Sequence, residues 1–499
     1  MKLNRLAMVS FCSAVLLAAS TTLADLEADV RAVLRDKTLA KAEVGIALER
    51  LGDGRPSAAA VLYKHNSDIP LIPASNLKLL TTAAALERLG PDFKFRTRLA
   101  RRGDDLVLVG DGDPSLGDVE LYQRKLPQFY PGAAPLDWTA ASVFDHWAAA
   151  LKGQGVTTVR DVVVDDSVFD EQYVHPNWPV DQIHKRYVAG VAGLNLNANC
   201  LDFMIRRTAP GEVVEYTMEP ATESITVRNT CVTGDKNAVW LSREPDKDEI
   251  ILRGESPGAD VPVSVTVQDP PMLAGHVLRE ALLRAGITVT GGVSRDRTVR
   301  QQLDAGRPGL QLVAVNETPI ELVLKRANKD SMNVYAEALC KRLGHAATDG
   351  REPGSWQNGT AAMAAYLRRA GASDGEYHLD DGSGLSKKND LSAAALVHVL
   401  RRAYNGPNRQ TFVDSLAVGG QDGTLEDRFR GTDLRGRVYA KSGYVSGASN
   451  LSGLLKGHDG EWYAFAVLMN NAAGGVKPLQ ERVVQALDAA TKGAAAAAR

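Results

Sequence analysis

This 499-residue sequence is short of most features that would place it at sight, and each absence removes a class. It has no basic surplus: 58 Lys and Arg stand against 60 Asp and Glu, so nothing supplies the footprint needed to grip a phosphate backbone. Nucleic acid is not expected as a partner. The nine histidines are scattered, with no His-Glu-x-x-His, no Cys-x-x-Cys and no Ca-binding loop of the EF-hand type, so no metal is expected. There is no Gly-x-x-x-x-Gly-Lys-Ser/Thr to cradle a nucleotide phosphate, and no cofactor is expected. The strand-to-helix elbow Gly-x-Ser-x-Gly is missing too, against an α/β-hydrolase.

Long apolar runs are absent except at the start. There Lys2 and Arg5 precede the run Leu6 to Ala19, closed by Thr22-Leu23-Ala24, the layout of a secretory signal peptide over residues 1–24. A buried N-terminal helix is the alternative. No later run approaches the roughly 18 to 20 residues a membrane span needs, so an exported, periplasmic protein without a transmembrane anchor is expected. Cysteine is scarce as well. Cys12 belongs to the leader, which leaves Cys200, Cys231 and Cys340. In an oxidising compartment Cys200 and Cys231 are candidates for a disulfide, with three separate buried thiols as the competing reading.

What is present is a globular composition, 44% hydrophobic and 24% charged, long enough for two or three domains. Leu26 to Leu34 reads as a helix and Val44 to Leu48 as a strand. Ser75 to Leu89, apolar nearly all round and stopped by Gly90, reads as a buried helix. From about Lys94 to Gln301 short β-like runs dominate, interrupted by one helix near Gly275 to Ala285. Helical patterns return at Ile320 to Lys325, Asn333 to Leu343, Thr360 to Arg369 and Ser392 to Tyr404. Strands Arg437 to Ala440, Leu451 to Leu455 and Trp462 to Met469 follow, then an amphipathic helix, Pro478 to Ala489. The simplest architecture is an α/β domain built from both ends of the chain, with the β-rich middle inserted.

Three short motifs could carry chemistry. Ser75 and Lys78 lie one turn apart on one helical face, and a lysine with a depressed pKa can take the proton of a serine nucleophile. Ser331-Met332-Asn333 is the only Ser-x-Asn and Lys441-Ser442-Gly443 the only Lys-Ser/Thr-Gly. Asn333 has a bland reading as a helix cap, and Asp381-Gly382-Ser383-Gly384 one as a mere turn.

Taken in order, the three motifs resemble those of the serine active-site transferases inhibited by penicillin. Within that class the chain resembles the D-alanyl-D-alanine carboxypeptidase/endopeptidase family, the class C low-molecular-mass penicillin-binding proteins. Gly110 to Pro114, Asn195 to Cys200, Asn328 to Asn333, Asp381 to Ser386 and Gly420 to Leu425 extend the likeness over nearly the whole chain after the leader. The resemblance implies a penicillin-binding transpeptidase/β-lactamase-like domain of sheet flanked by helices, residues 25–95 plus 307–492. Two β-rich domains would be inserted, 96–192 plus 264–306 and 193–263, and 493–499 would be a disordered tail.

It also implies a serine D-Ala-D-Ala carboxypeptidase, a DD-endopeptidase, or both, acting on peptidoglycan stem peptides and acylated by β-lactams. Ser75 would be the nucleophile and Lys78 its base, with Lys441 lowering the Lys78 pKa while staying charged for the substrate carboxylate. Ser331 would pass a proton to the leaving amine, Asn333 would position the substrate amide, and Ser442 would add a carboxylate contact. Gly443 and Tyr444 would complete the binding edge, with the backbone N–H groups of Ser75 and Tyr444 holding the oxyanion. Lys387 stands where relatives often have Arg, which weakens any bidentate carboxylate clamp there. Asp166 and Phe169, just after Asp165, would line a pocket for the third peptide residue, an ordinary strand-end turn being the alternative. Rival activities are a β-lactamase or esterase on the same fold, and a non-catalytic peptidoglycan-binding protein.

Overall fold

A computed structural model describes residues 25–52, 60–130, 132–244, 249–258 and 261–497. The leader read at residues 1–24 lies outside them. The chain splits into two compact units, Met1–Pro91 with Leu324–Ser331 and Thr360–Arg499, and Asp92–Val323 with Met332–Gly359. Residues 307–323 and 332–359, expected above in the discontinuous catalytic part, therefore group with the second unit. The architecture is α/β with several sheets, as the patterning indicated.

The first unit is built on a six-stranded antiparallel sheet. Its strands are β1 (Glu43–Arg50), β2 (Ala60–His65), β3 (Ala417–Val418), β4 (Val438–Val445), β5 (Ala448–Lys456) and β6 (Trp462–Asn470), in spatial order β3-β4-β5-β6-β1-β2. Six consecutive residues of β1 are buried, so both faces of the sheet are covered. Ile46 and Leu48 on one face share a core with residues 25–34 and with the last helix, whose Val483, Val484 and Leu487 are fully buried. On the other face a Cβ added to Gly45 would lie 3.7 Å from Ala393.

The longer helices that bear on the motifs are α1 (Leu77–Leu89), α2 (Ile320–Asn328), α3 (Asn333–Ala347), α4 (Trp356–Ala370), α5 (Ala393–Asn405) and α6 (Lys477–Ala497). Every residue of α1 from Leu77 to Leu86 is buried. Its leucines each contribute about 1.5–3 kcal/mol on burial. The hydroxyls buried with them are not left orphaned: Thr81 donates to the Gly382 carbonyl at 2.6 Å and Thr82 to that of Lys78 at 2.6 Å. Gly90 ends the helix at φ +85°.

The second unit carries a five-stranded mixed sheet in the order Val293–Arg295, Val162–Asp165, Asp105–Val109, Lys94–Arg102, Leu310–Pro319. Two smaller sheets fall within residues 200–266. Helix α3 groups with this unit.

Several expectations need correction. The middle third holds a second helix, Ser142–Gly153, whose Val143, Phe144, Trp147, Ala148 and Leu151 are buried at helical spacing; its short length beside Pro-rich turns hid it. The expected disordered tail is helical as far as Ala497, alanine being the strongest helix former. Cys200, Cys231 and Cys340 are all free, so no Cys200–Cys231 bridge is formed. Cys200 opens a strand of the three-stranded sheet, whereas Cys231 lies between two strands of the four-stranded one. Burial pushes both thiols up, that of Cys200 to about 12. Among the described residues no helix is long and apolar enough to cross a membrane.

Candidate active site

Ser75 stands in a tight 3-10 turn, Ala74–Asn76, one step before α1 rather than inside it. The turn is entered through Ala74 at φ +46°, a left-handed conformation that turns the Ser75 side chain out while its neighbours stay buried. Lys78, in the first turn of α1, is fully buried. Its Nζ lies 3.0 Å from Ser75 Oγ and donates to the Ser383 carbonyl at 2.9 Å. Nucleophile and base are thus within hydrogen-bond reach, with the base oriented by a third group.

That third group sits on the loop read above as Asp381-Gly382-Ser383-Gly384, which is more than punctuation. The Asp381 carboxylate accepts from the backbone N–H groups of Gly384 and Ser386, both at 2.7 Å, and so shapes the loop. Gly384, at φ +80°, lies so close to the Ser75 turn that a Cβ would come within 1.9 Å of the Ala74 carbonyl oxygen. Only glycine fits both the conformation and the approach.

Lys441-Ser442-Gly443 lies on β4. The short β3 pairs only with Tyr439 and Ala440, so beyond Ala440 the outer edge of β4 has no partner strand among the described residues. A Cβ at Gly443 would sit 3.0 Å from Asn76 N, Asn76 Oδ1 and the Pro73 carbonyl oxygen. The motif's glycine is therefore what lets this edge meet the nucleophile turn. Asn76 Nδ2 donates to Ser452 Oγ at 2.8 Å, and Ser452 is paired with Lys441 across β5 and β4. Ser442 is half-buried beside the open edge, and Tyr444 is 75% exposed.

Lys441 is fully buried and donates to the Ser442 carbonyl at 2.7 Å. Burial first, then the neighbouring Lys78, holds its ammonium well below the ordinary lysine range, with Asp330 acting in the opposite direction. Two buried amines that repel one another resist carrying two protons.

Ser331 follows α2 at φ +60° and is half-buried. Asn333 opens α3 in the second unit; Met332 occupies the cap position, so Asn333 is not the helix cap. Its Nδ2 donates to the Tyr187 carbonyl at 2.7 Å. Lys387 is exposed at the end of the 381–386 loop. Asp166 and Phe169 do not line an open pocket. Asp166 is fully buried and accepts from Tyr173 Oη at 2.6 Å and Arg297 Nη1 at 2.9 Å. The Phe169 ring is fully buried and packs where a Cβ on Gly112 would come within 2.3 Å of it. Both belong to the packing of the second unit.

Ser75, Lys78, Lys441, Ser442 and Gly443 are thus gathered within one unit. Ser383, Asn76 and Asp330 were missed as parts of the site. Asp330 had a signal, an Arg326/Asp330 pair at i, i+4, while the other two act through contacts that spacing does not reveal. Among the described residues no group of three or more His, Cys, Asp or Glu is placed to hold a metal ion.

The model of the D-Ala-D-Ala carboxypeptidase 3 (S13) family matches residues 26–491. A D-alanyl-D-alanine carboxypeptidase of Actinomadura sp. (strain R39) is 33% identical over 490 residues, covering 93% of this chain and 84% of its own length. The D-alanyl-D-alanine carboxypeptidase DacB of Haemophilus influenzae is 25% identical over 433 residues, covering 83% and 84%. The crystal structure of penicillin binding protein 4 from Haemophilus influenzae shares the fold, with a TM-score of 0.72 at 23% identity over 91% of this chain and 98% of that one.

Proposed function

Since the chain belongs to the D-Ala-D-Ala carboxypeptidase 3 (S13) family, we propose that it is a serine-type carboxypeptidase that cleaves D-Ala-D-Ala termini of peptidoglycan stem peptides and is acylated by β-lactams. The observation that carries this reading is the 3.0 Å approach of Lys78 Nζ to Ser75 Oγ, beside the open edge of β4. Lys78 takes the Ser75 proton as Oγ attacks the carbonyl of the scissile amide. The Ser75 and Tyr444 backbone N–H groups face the oxygen that becomes negative, a contact of which each donor typically contributes about 3 kcal/mol. The proton returns to the leaving D-alanine amine through Ser331, and water releases the acyl group from Ser75.

The substrate carboxylate brings a further negative charge to Lys441; on binding it favours the protonated amine and leaves Lys78 free to act as base. Ser442 adds a hydroxyl donor, Asn333 holds the substrate amide, and Lys387 offers a point charge to the stem. Cleavage of a cross-link between stems is the second reaction open to the same acyl-enzyme, because both amides take their carbonyl from D-alanine. Such a substrate places the enzyme in the cell envelope, in keeping with the leader read at residues 1–24.

The test uses a fluorescent penicillin and mass spectrometry of products from monomeric and cross-linked muropeptides. Ser75→Ala is expected to lose all labelling and all D-alanine release. Labelling that persists in that variant, or rapid turnover of penicillin by the wild type, would overturn the assignment.

A further inference from the structure

The chemistry above needs Lys441 to accept a carboxylate, yet the site is crowded with cations before one arrives. Lys78, Lys441 and Arg326 are each fully buried. Asp330 is the acid that pairs with Arg326 and acts on Lys441 through its charge. Its carboxylate takes a 2.8 Å ion pair from Arg326 Nη1, four residues earlier on α2, and its side chain is only 8% exposed. The segment that carries it is tied, through Lys329, to the strand beside the one that bears Lys441. Lys329 Nζ donates to the Leu416 carbonyl and to Asp422, both at 2.7 Å. The residue after Leu416 is Ala417, which pairs in β3 with Ala440 of β4, the neighbour of Lys441. Gly423 closes on this segment so tightly that a Cβ would come within 2.5 Å of the Lys329 carbonyl oxygen.

We propose that Asp330, fixed by Arg326, is a positioning residue of the active site: it supplies the standing negative charge that Lys441 faces until the substrate carboxylate replaces it. The inference rests on the reading of Ser75, Lys78 and Lys441 given above. Asp330 acts through Lys441 and touches no reacting atom. The other charged group reaching Lys441 is Lys78 on α1, which opposes it; the loop alongside brings the Ser383 carbonyl, and Asp381 there accepts from its own loop's amides. With Asp330 neutralised, burial and Lys78 act on Lys441 unopposed. Its protonated form is then lost at lower pH.

The experiment measures the second-order rate of Ser75 acylation by a fluorescent penicillin from pH 6 to pH 10 in the full-length protein. In Asp330→Asn the alkaline fall of the rate is expected about one pH unit lower than in the wild type, the shift a single nearby charge gives, with roughly tenfold slower acylation on that limb and little change at pH 6. Asp330→Glu, which keeps the carboxylate, is expected to restore the wild-type limb. Should the Asn variant not fold, Asp330→Ser serves in its place. A loss of the same size at every pH, or a limb in Asp330→Glu displaced like that of Asp330→Asn, would overturn the proposal by showing a merely structural role. Failure of the underlying reading would look different: the wild type itself would carry no label on Ser75.

Discussion

Gly443→Ala isolates how much of the activity depends on the β4 edge meeting the nucleophile turn. The added Cβ would lie 3.0 Å from three atoms at once, Asn76 N, Asn76 Oδ1 and the Pro73 carbonyl oxygen, two of them backbone. Relief to the 3.5 Å at which ordinary carbon contacts begin requires the edge and the turn to part by about 0.5 Å. Overpacking of that kind costs about 1–3 kcal/mol. In a unit of this size each kcal/mol lowers Tm by roughly 2–4 °C. The kinetic effect is larger, since a displacement of about 1 Å in a site can cost a hundredfold and half of it about tenfold. Stopped-flow acylation by a fluorescent penicillin, with a thermal melt on the same sample, measures both. Gly375→Ala is the control: nothing lies within 4 Å of a Cβ there, so rate and Tm are expected to match the wild type. Acylation of Gly443→Ala within twofold of the wild type, with a lowered Tm, would refute the claim that the glycine sets the spacing between motif and nucleophile.

Lys441→Met is expected to abolish acylation yet raise stability at neutral pH, because a buried amine with a depressed pKa weakens the fold there. A lysine whose folded pKa lies below its unfolded value carries a penalty that is fully present below the folded pKa and is relieved as pH rises toward 10.5. The gain in urea-melt stability should accordingly shrink from neutral pH to pH 10; a gain independent of pH would count against a buried amine as its source. For the cysteines, thiol titration of the unreduced, denatured secreted chain should find three free groups, and dithiothreitol should leave Tm unchanged. One free group would restore the Cys200–Cys231 bridge.

Much of the candidate site was legible before any coordinates because each of its motifs is local. Ser75 and Lys78 are three residues apart where the 3-10 turn runs into α1, so a single turn brings them together, and Gly90 marks the end of that helix. The same locality explains the good reading of β1, β5 and β6, whose buried runs are short-range signals. The helix Ser142–Gly153 carried such a signal too, and was lost in the β-rich texture around it. The burial of Phe169 and Asp166 was not legible, because Gly112 and Arg297, against which they pack, lie far along the chain from them.

What the sequence by itself determined is which chemical groups are available, a hydroxyl and two amines in three motifs, and that α1 is buried along most of its length. What only the tertiary structure decided is their electrical and steric state. Burial on β4 and the charge of Lys78 push the Lys441 amine toward its neutral form, and Gly384 and Gly443 become indispensable because two remote segments close on the same turn. Charge and fit depend on separations of a few ångströms between residues hundreds of positions apart, and spacing along a chain holds no record of those distances.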